Sequence, residues 1–439
     1  MKEKEKKQRP ENSDKEKKSF SPMAHAVAIA LFAFLSLSFA GQARAKIYLD
    51  INNPNRKVPI AISPLAGLGG AQISKVVQKD LGYTGLFLFL DPKGFTEAPY
   101  QPFNRTDWLP AGVSFVLKGT VSFTPEGELQ VSSTLYDVSS GDPVLSKTYS
   151  APEELLRPLA HSISEDVYKA LTGLKGPFTS RLAFVTVRRG KKDIAVSDWD
   201  ARRARFLGLD EGILLPPRWS RDGKSLIYTA QRGRAWGIYK IDLARARESV
   251  VFRAPGTNLA GDIDASGDVV FSSSFKGSPN IYEKLASGKI VRLTHSLGID
   301  VSPVFSPDGK KIAFVSDRSG TPQIYIMDSD GYNISRVTFS GDYDTSPAWS
   351  PDGKRIVFVG RYNGISQIFT VKTDGSDQML LTDRGSNGEP CFSPDGGMIA
   401  FTSNRDGHKA IYVMQANGQD QKRLSPRGMI AYGPRWSYQ

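Results

Sequence analysis

The sequence predicts a small mixed α/β N-terminal domain, residues 46–177, followed by an all-β six-bladed β-propeller, residues 178–439. Two observations predict this fold. A β-type repeat recurs with a period near 43 residues, and in the region before it short strand patterns mix with two helical patterns. The 439 residues, 40% hydrophobic and 23% charged, are typical of a globular protein of two or three domains.

Residues 1–45 are predicted to be a leader. A Lys/Glu run at residues 2–18 precedes an apolar run at residues 24–40, and small residues follow at Ala43 and Ala45. A basic start, an apolar stretch and an Ala-x-Ala site indicate a secretory signal peptide cleaved after Ala45. The apolar run is at the short limit of a spanning helix, so an uncleaved anchor is the alternative. We expect an exported chain with no transmembrane segment after cleavage.

Residues 46–177 mix strand and helix patterns. The first helical pattern covers residues 71–85, and the second covers residues 152–173, with Pro152 near its first turn and Gly173 at its end. Strands with two helices predict a mixed α/β layer. The strand patterns lie at residues 46–51, 58–65, 85–91, 144–150 and, as two strands joined by a turn, 114–138.

The repeat predicts the propeller. Each unit contains four strand patterns and four turns, which is the composition of one blade. Residues 181–212 supply three strands without a first, and residues 433–439 supply a first strand without successors. The two parts complete a sixth blade, so the last strand closes the ring and removes its exposed edges. The residue before the first turn of each unit recurs at Trp219, Ile263, Phe305, Trp349, Phe392 and Trp436.

The repeated Ser-Pro-Asp-Gly motif is interpreted as a turn rather than an active site. Pro presets φ, Asp can bond back to the turn backbone, and Gly tolerates positive φ. A catalytic role would require the same chemistry in several blades. The unit that contains Ile263 departs from the pattern, because it lacks the motif.

No catalytic or metal-binding pattern is present in the sequence after the leader. The histidines there, His161, His295 and His408, have no second histidine at metal-ligand spacing, and His161 with Glu165 one turn later suits a surface pair. Nucleophile-elbow, P-loop and dinucleotide-binding motifs are absent from the sequence, and the single cysteine, Cys391, excludes an intramolecular disulfide. We therefore expect no enzyme activity, cofactor or metal.

The net charge of +12 is unevenly distributed. The leader has 9 basic and 5 acidic residues, whereas residues 181–253 have 17 basic and 8 acidic residues. This surplus is either a solvated face or a surface for an acidic protein or anionic envelope. Nucleic acid is not an expected partner of an exported chain.

The segments that lead into the inner strands are the candidate binding site. In a propeller they converge on one mouth of the central channel, and here they differ between units although the turns do not. Variable loops on a rigid scaffold commonly carry binding. The predicted contact residues are Asn258, Asp300, Val301, Ser302, Asp344, Thr345, Asn387, Glu389 and Tyr432.

The chain resembles the TolB family of the Tol-Pal system. The resemblance rests on "YKALTGLKG" at residues 168–176 with "RLAFV" at 181–185, on "GTVSFTPEGELQVSSTLYDVSSG" at 119–141 and on the terminal "GPRWSYQ". It implies a periplasmic, non-catalytic protein, monomeric outside its complexes, that supports outer-membrane integrity and cell division.

The same resemblance implies two partners. Pal, the peptidoglycan-associated lipoprotein, would dock at the propeller mouth. TolA, and through it TolQ and TolR, would be contacted by the first segment after the leader. That segment consists of Lys46, Ile47, Tyr48, Leu49, Asp50 and Ile51. From the residues alone, a propeller accessory of a peptidase and a carbohydrate-binding propeller stay open as alternatives.

Overall fold

The computed structural model describes residues 57–438, so the leader, its cleavage after Ala45 and the predicted strand at residues 46–51 lie outside it. An α/β layer and a six-bladed propeller follow one another along the described chain, which confirms the predicted fold class. The predicted boundary after residue 177 falls between these parts and stays a prediction. Within residues 57–438, no helix is long and apolar enough to cross a membrane.

The α/β layer contains a five-stranded mixed sheet. The order of its strands is β2 (Phe87–Phe89), β1 (Val58–Ile62), β3 (Phe115–Phe123), β4 (Leu129–Asp137) and β5 (Pro143–Ala151). Strand β1 pairs in parallel with both β2 and β3, while the remaining pairs are antiparallel. A central strand covered on both faces favours a continuous apolar run, as in "VPIAI" of β1. The elements are β1 Val58–Ile62, α1 Gly70–Tyr83, β2 Phe87–Phe89, α2 Arg105–Trp108, β3 Phe115–Phe123, β4 Leu129–Asp137, β5 Pro143–Ala151 and α3 Leu156–Thr172, with 3-10 turns at Pro92–Gly94, Leu109–Ala111 and Glu153–Leu155.

Helices α1 and α3 confirm the two predicted helical patterns. Each carries apolar residues four positions apart on one buried face, the spacing of an amphipathic helix. Helix α3 ends at Gly173, whose φ of 76° is the left-handed conformation that glycine adopts most readily. The face residues are fully buried in one core and are Ile73, Val77 and Leu81 on α1, and Ile163, Val167 and Leu171 on α3.

The propeller contains six blades, each an antiparallel sheet of four main strands. A short extra strand, β9 at Ile213–Leu214, pairs with the second strand of blade 2, β11 at Ser225–Arg232. The strands of each blade, from the channel outward, are, in blade 1, β30 Ala431–Trp436, β6 Arg181–Arg188, β7 Lys191–Asp198 and β8 Arg205–Phe206; in blade 2, β10 Arg218–Trp219, β11 Ser225–Arg232, β12 Ala235–Asp242 and β13 Arg247–Arg253; in blade 3, β14 Asn258–Ile263, β15 Val269–Ser273, β16 Asn280–Lys284 and β17 Ile290–Arg292; in blade 4, β18 Asp300–Phe305, β19 Lys311–Ser316, β20 Gln323–Asp328 and β21 Ser335–Arg336; in blade 5, β22 Thr345–Trp349, β23 Arg355–Tyr362, β24 Ile365–Lys372 and β25 Met379–Leu380; and in blade 6, β26 Asn387–Phe392, β27 Met398–Ser403, β28 Ala410–Gln415 and β29 Lys422–Arg423.

Blade 1 is assembled from the two ends of the propeller sequence, as predicted. Strand β30 pairs antiparallel with β6, so that Trp436 lies opposite Leu182. The six inner strands contact one another in sequence around a closed ring. The indole of Trp219 in blade 2 donates to the carbonyl of Arg435 in blade 1 at 2.8 Å, which joins the two blades next to the closing strand.

The Ser-Pro-Asp-Gly motifs form the turns between the first and second strands. In blade 4, Ser306 Oγ donates to Asp308 Oδ1 at 2.6 Å, and the amide of Lys310 donates to the same oxygen at 3.1 Å. Gly309 has a φ of 73°, in the left-handed region. These bonds confirm the motif as a turn, and the serine–aspartate bond recurs in blades 5 and 6.

The α/β layer shares one hydrophobic core with blades 1 and 6. This core joins residues of α1 and α3 to Phe184 of blade 1, Ile411 of blade 6 and Trp436 of the closing strand. A polar contact lies beside it, because Tyr168 on α3 donates to Asp395 Oδ2 in the turn of blade 6 at 2.7 Å. The layer therefore packs on the two blades that β30 joins.

Ring closure provides a direct test of this architecture. We expect deletion of residues 434–439 to abolish the cooperative unfolding transition, because blade 1 loses its inner strand and leaves sheet edges unpaired. Circular dichroism during heating measures the transition, and removal of Gln439 alone is the control because it leaves β30 whole. An unchanged melting curve after the longer deletion would contradict six-blade closure.

Candidate functional site

The segments before the inner strands meet at one end of the channel. The amide of Asp300, which begins β18, donates to the carbonyl of Pro279 in the preceding blade at 2.8 Å. The amide of Asp344 makes the same bond to Pro322, also at 2.8 Å. The inner strands of blades 4 and 5 therefore begin against a hairpin of the preceding blade, and this end of the channel is the predicted mouth.

A strained bulge recurs in the inner strands just inside the mouth. Ser302, Ser346 and Glu389 have φ angles of 55°, 54° and 55°, and each precedes a proline. Gly433 occupies the same place in β30 with a φ of 65°. In all four strands the pairing with the second strand shifts register here. A left-handed residue other than glycine costs about 1–2 kcal/mol, so the closed ring holds these residues against a local preference.

Five of the nine predicted contact residues are buried, and four of these five are polar. Asn258 and Asp300 are 0% exposed, and Asp344 and Asn387 are 2% exposed. Asn258, the first residue of β14, holds the segment that leads into this strand, because its Nδ2 donates to the carbonyl of Ala254 at 2.7 Å. The four side chains hold the mouth segments in place, and their contact with a partner stays a prediction.

We call the buried residue at the start of an inner strand the anchor. In blades 4 and 6 an arginine that follows the second strand bonds to the anchor. In blade 4, Ser316 Oγ donates to Asp300 Oδ1 at 2.6 Å, and Arg318 Nη2 lies 3.1 Å from both carboxylate oxygens. In blade 6, Arg405 Nη2 donates to Asn387 Oδ1 at 3.2 Å. A buried polar group needs such partners to offset the loss of water.

Blade 5 lacks the partners that this anchor has in blade 4. Gly360 stands beside Asp344 where blade 4 has Ser316, and Tyr362 follows where blade 4 has Arg318. Asp344 Oδ2 has no hydrogen-bond partner among the described residues. Burial raises the pKa of Asp344 to about 6, although Thr338 and Arg336 act against the shift.

The other five predicted residues form what we name the mouth surface: Val301, Ser302, Thr345, Glu389 and Tyr432. The first four are half-buried, and Tyr432 is 8% exposed. Glu389 Oε2 accepts a hydrogen bond from Thr402 Oγ1 at 2.7 Å. Lys409 Nζ lies 4.7 Å from the centre of the Tyr432 ring. Four of these side chains are therefore partly exposed, whereas that of Tyr432 is buried.

Sequence reasoning selected polar residues and missed an apolar rim around the same mouth. Leu297 is 98% exposed, Ile299 48%, and Tyr343 and Ile430 39% each. All four lie in the segments that lead into β18, β22 and β30. We name them the apolar rim, because exposed apolar side chains that cluster around a concave mouth are typical of a protein-binding surface.

A buried polar cluster joins the α/β layer to blade 1. Asp80 on α1, His161 on α3 and Asp200 after β7 each place one potential ligand atom within 4.8 Å of the others. These described residues could hold a metal ion, but the Arg157 guanidinium donates to Asp200 and balances that charge. His161 Nδ1 lies 2.6 Å from Asp80 Oδ2. Sequence spacing could not reveal the cluster, because its members lie on three separate elements.

The predicted surface pair of His161 and Glu165 is wrong. His161 is 2% exposed and Glu165 6%, because this face of α3 packs against the propeller. Glu165 Oε2 instead accepts hydrogen bonds from the amides of Phe178 and Thr179 at 3.1 and 3.4 Å. Burial raises the pKa of Glu165 to about 7. The carboxyl thus fastens the connection between α3 and the first blade.

Comparison with known proteins agrees with this architecture. The family model described as "TolB beta propeller domain" matches residues 168–439. The chain belongs to the TolB family. The model described as "TolB amino-terminal domain" matches residues 47–144, a range that includes the sheet of the α/β layer up to β4.

Individual relatives match more than half of the chain. The TolB homolog of Chlorobium luteolum is 35% identical over 62% of this chain and 63% of its own length, so the match spans less than two thirds of that relative. The Tol-Pal system protein TolB of Bordetella pertussis is 30% identical over 66% of this chain and 67% of its own length. The crystal structure of TolB from Acinetobacter baumannii superposes with a TM-score of 0.80 at 27% identity, covering 88% of this chain and 98% of that one.

Asp344 provides a test of the anchor positions. Because its pKa is raised from 3.8 to about 6, the folded state binds the proton more tightly than the unfolded state, and stability falls as pH rises through this range. We expect Asp344→Asn to raise the free energy of unfolding by about 1–3 kcal/mol at pH 7.5 and to have little effect below pH 4.

Chemical denaturation at both pH values measures the effect. The matched control is Asp300→Asn, which removes the charge that pairs with Arg318 and should lower stability at pH 7.5 by about 3 kcal/mol. Equal losses of stability in the two variants would show that Asp344 is satisfied in the folded protein.

Proposed function

We propose that this chain is a non-catalytic periplasmic scaffold of the Tol-Pal system, which binds Pal at the propeller mouth and TolA through residues 46–51. The observation that carries the proposal is the propeller mouth, where the half-buried mouth surface lies beside the apolar rim in a TolB-family chain. The relative from Bordetella pertussis is named a Tol-Pal system protein. Outer-membrane integrity and cell division are the processes that this scaffold would support.

The mouth combines two features that suit a protein partner. The apolar rim supplies exposed apolar area, which drives association when it is buried. The mouth surface supplies polar groups, among them the carboxylate of Glu389, at positions that the closed ring fixes. Because these positions are fixed before binding, little conformational entropy is lost when a partner docks. Pal would therefore contact a preformed site.

The TolA segment has a strand-like pattern. In residues 46–51, Ile47, Leu49 and Ile51 occupy alternate positions, the spacing of one face of a β-strand. Such a segment suits addition to the edge of a partner's sheet. The signal peptide predicted to end at Ala45 would leave this segment at the start of the exported chain.

The two sites can be coupled through blade 6. Lys57, which directly precedes β1, lies with its Nζ 3.9 Å from Asp420 Oδ2, and Lys422 Nζ donates to the carbonyl of Gly82 at 3.0 Å. Blade 6 also carries Glu389 at the mouth. Pal held at the mouth would not bind peptidoglycan, and TolA would shift this equilibrium through a difference in its contacts with the free and Pal-bound states.

The Pal site is tested by introducing positive charge at the mouth surface. We expect the double variant Thr345→Arg and Glu389→Arg to weaken binding to immobilised Pal at least tenfold, because it places two large cations where half-buried polar groups would meet the partner. Glu126→Arg, on an exposed turn of the α/β layer, is the control. Unaltered affinity of the mouth variant would contradict this site. Retention of glycans or peptide cleavage without Pal binding would favour the two alternative propeller functions.

The TolA segment is tested separately. We expect the double variant Ile47→Asp and Ile51→Asp to lose at least tenfold in TolA affinity, because both substitutions fall on the apolar face of the extended segment. Affinity for Pal should remain unchanged. The control variant Lys46→Ala with Asp50→Ala alters the other face. TolA binding that survives deletion of residues 46–51 would contradict the proposal.

A further inference from the structure

The end of the channel opposite the mouth contains a cavity of about 350 Å³. It lies among the last residues of the inner strands and the Ser-Pro-Asp-Gly turns that follow them. Residues of the sequence repeat therefore form the wall of this cavity. The turns themselves were predicted to have only a structural role. The aromatic residues of the wall are Trp219, Phe305, Trp349, Phe392, Trp436 and Tyr438.

The aromatic wall is apolar toward the cavity because its indole N–H groups are already satisfied. Trp219 donates to the carbonyl of Arg435 at 2.8 Å and Trp349 to that of Val304 at 3.1 Å. Volume and lining fall in the range of small-molecule sites, which are largely apolar with a few fixed polar groups. An aromatic ring would pack well against such a wall.

Cations outnumber acidic groups in the same wall. Asp262 is the acidic residue among the described lining residues, and its carboxylate accepts hydrogen bonds from the amides of Ile263 and Phe305 at 3.0 and 3.2 Å. Within residues 57–438, none of the lining cations lies within 4.0 Å of a carboxylate oxygen. These cations are Lys175, Arg218, Arg221 and Arg435.

Arg435 is the deepest of these cations and has unused donor capacity. Its side chain is 7% exposed, and its Nη1 donates to the carbonyls of Glu389 and Pro434 at 2.9 and 2.6 Å. Its Nε is buried with no hydrogen-bond partner among the described residues. A buried guanidinium that meets only carbonyl groups retains an uncompensated charge, which an anion would balance.

We propose that this cavity binds a small organic anion, a carboxylate attached to an aromatic body. The guanidinium groups would pair with the carboxylate, a geometry that arginine forms well, while the ring would pack against the aromatic wall. None of the described residues that line the cavity belongs to the mouth surface. The anion site therefore goes beyond the proposed function and does not depend on either partner.

Nuclear magnetic resonance of the tryptophan indole N–H groups of the full chain tests the site, with phenylacetate as the probe. Trp219, Trp349 and Trp436 line the cavity, whereas Trp108 and Trp236 lie elsewhere. We expect millimolar phenylacetate to shift the signals of the first three and to leave those of Trp108 and Trp236 in place. Phenylacetamide, which has the same ring without the charge, should bind at least tenfold more weakly.

A double variant of the protein tests the charge requirement with the same probe. We expect Arg218→Gln with Arg221→Gln to weaken phenylacetate binding at least tenfold, since both side chains lose their positive charge. The control Arg245→Gln with Arg247→Gln removes two exposed arginines of blade 2 and should bind as the natural chain does. Absence of selective shifts, equal binding of phenylacetate and phenylacetamide, or undiminished binding by the cavity variant would each overturn the proposal.

Discussion

The pairing of β30 with β6 is the contact on which the remaining structure depends. Both strands belong to blade 1, so loss of this pair would leave the edge of β6 open and would interrupt the ring of inner strands. Closure also creates both ends of the channel. The mouth surface and the opposite cavity have fixed geometry because the inner strands cannot spread apart, and the left-handed φ of Ser302, Ser346 and Glu389 persists for the same reason.

Blades 4, 5 and 6 divide two tasks between two nearby positions at the mouth. The first residue of the inner strand, such as Asp300, is buried and anchors the incoming segment, whereas the bulged residue two positions later, such as Ser302, is half-buried. Asp344 departs from this scheme because its blade lacks the serine and arginine that hold Asp300. The blades are therefore similar in backbone but differ at the mouth in charge and hydrogen bonding.

Local patterns predicted the fold well because a propeller blade is a local structure. The repeat period, the turn chemistry at Ser306 to Gly309 and the split first blade all follow from neighbouring residues in the chain. The site was predicted less completely. Burial of Asn258 and Asn387, the exposure of Leu297, and the meeting of Asp80 with His161 depend on which segments pack together, and no local pattern contains that information. The unpaired state of Asp344 was visible only once Gly360 could be aligned with Ser316.

The shared core of the α/β layer and blades 1 and 6 has a consequence for the order of assembly. Helices α1 and α3 pack on Phe184, Ile411 and Trp436 together, and these residues come from the beginning, the fifth repeat and the closing strand of the propeller. The α/β layer is synthesised first, yet its docking surface is complete only when residue 436 is in place. Contacts this distant in sequence form late in folding. The complete docking surface for the α/β layer therefore exists only once β30 has closed the ring.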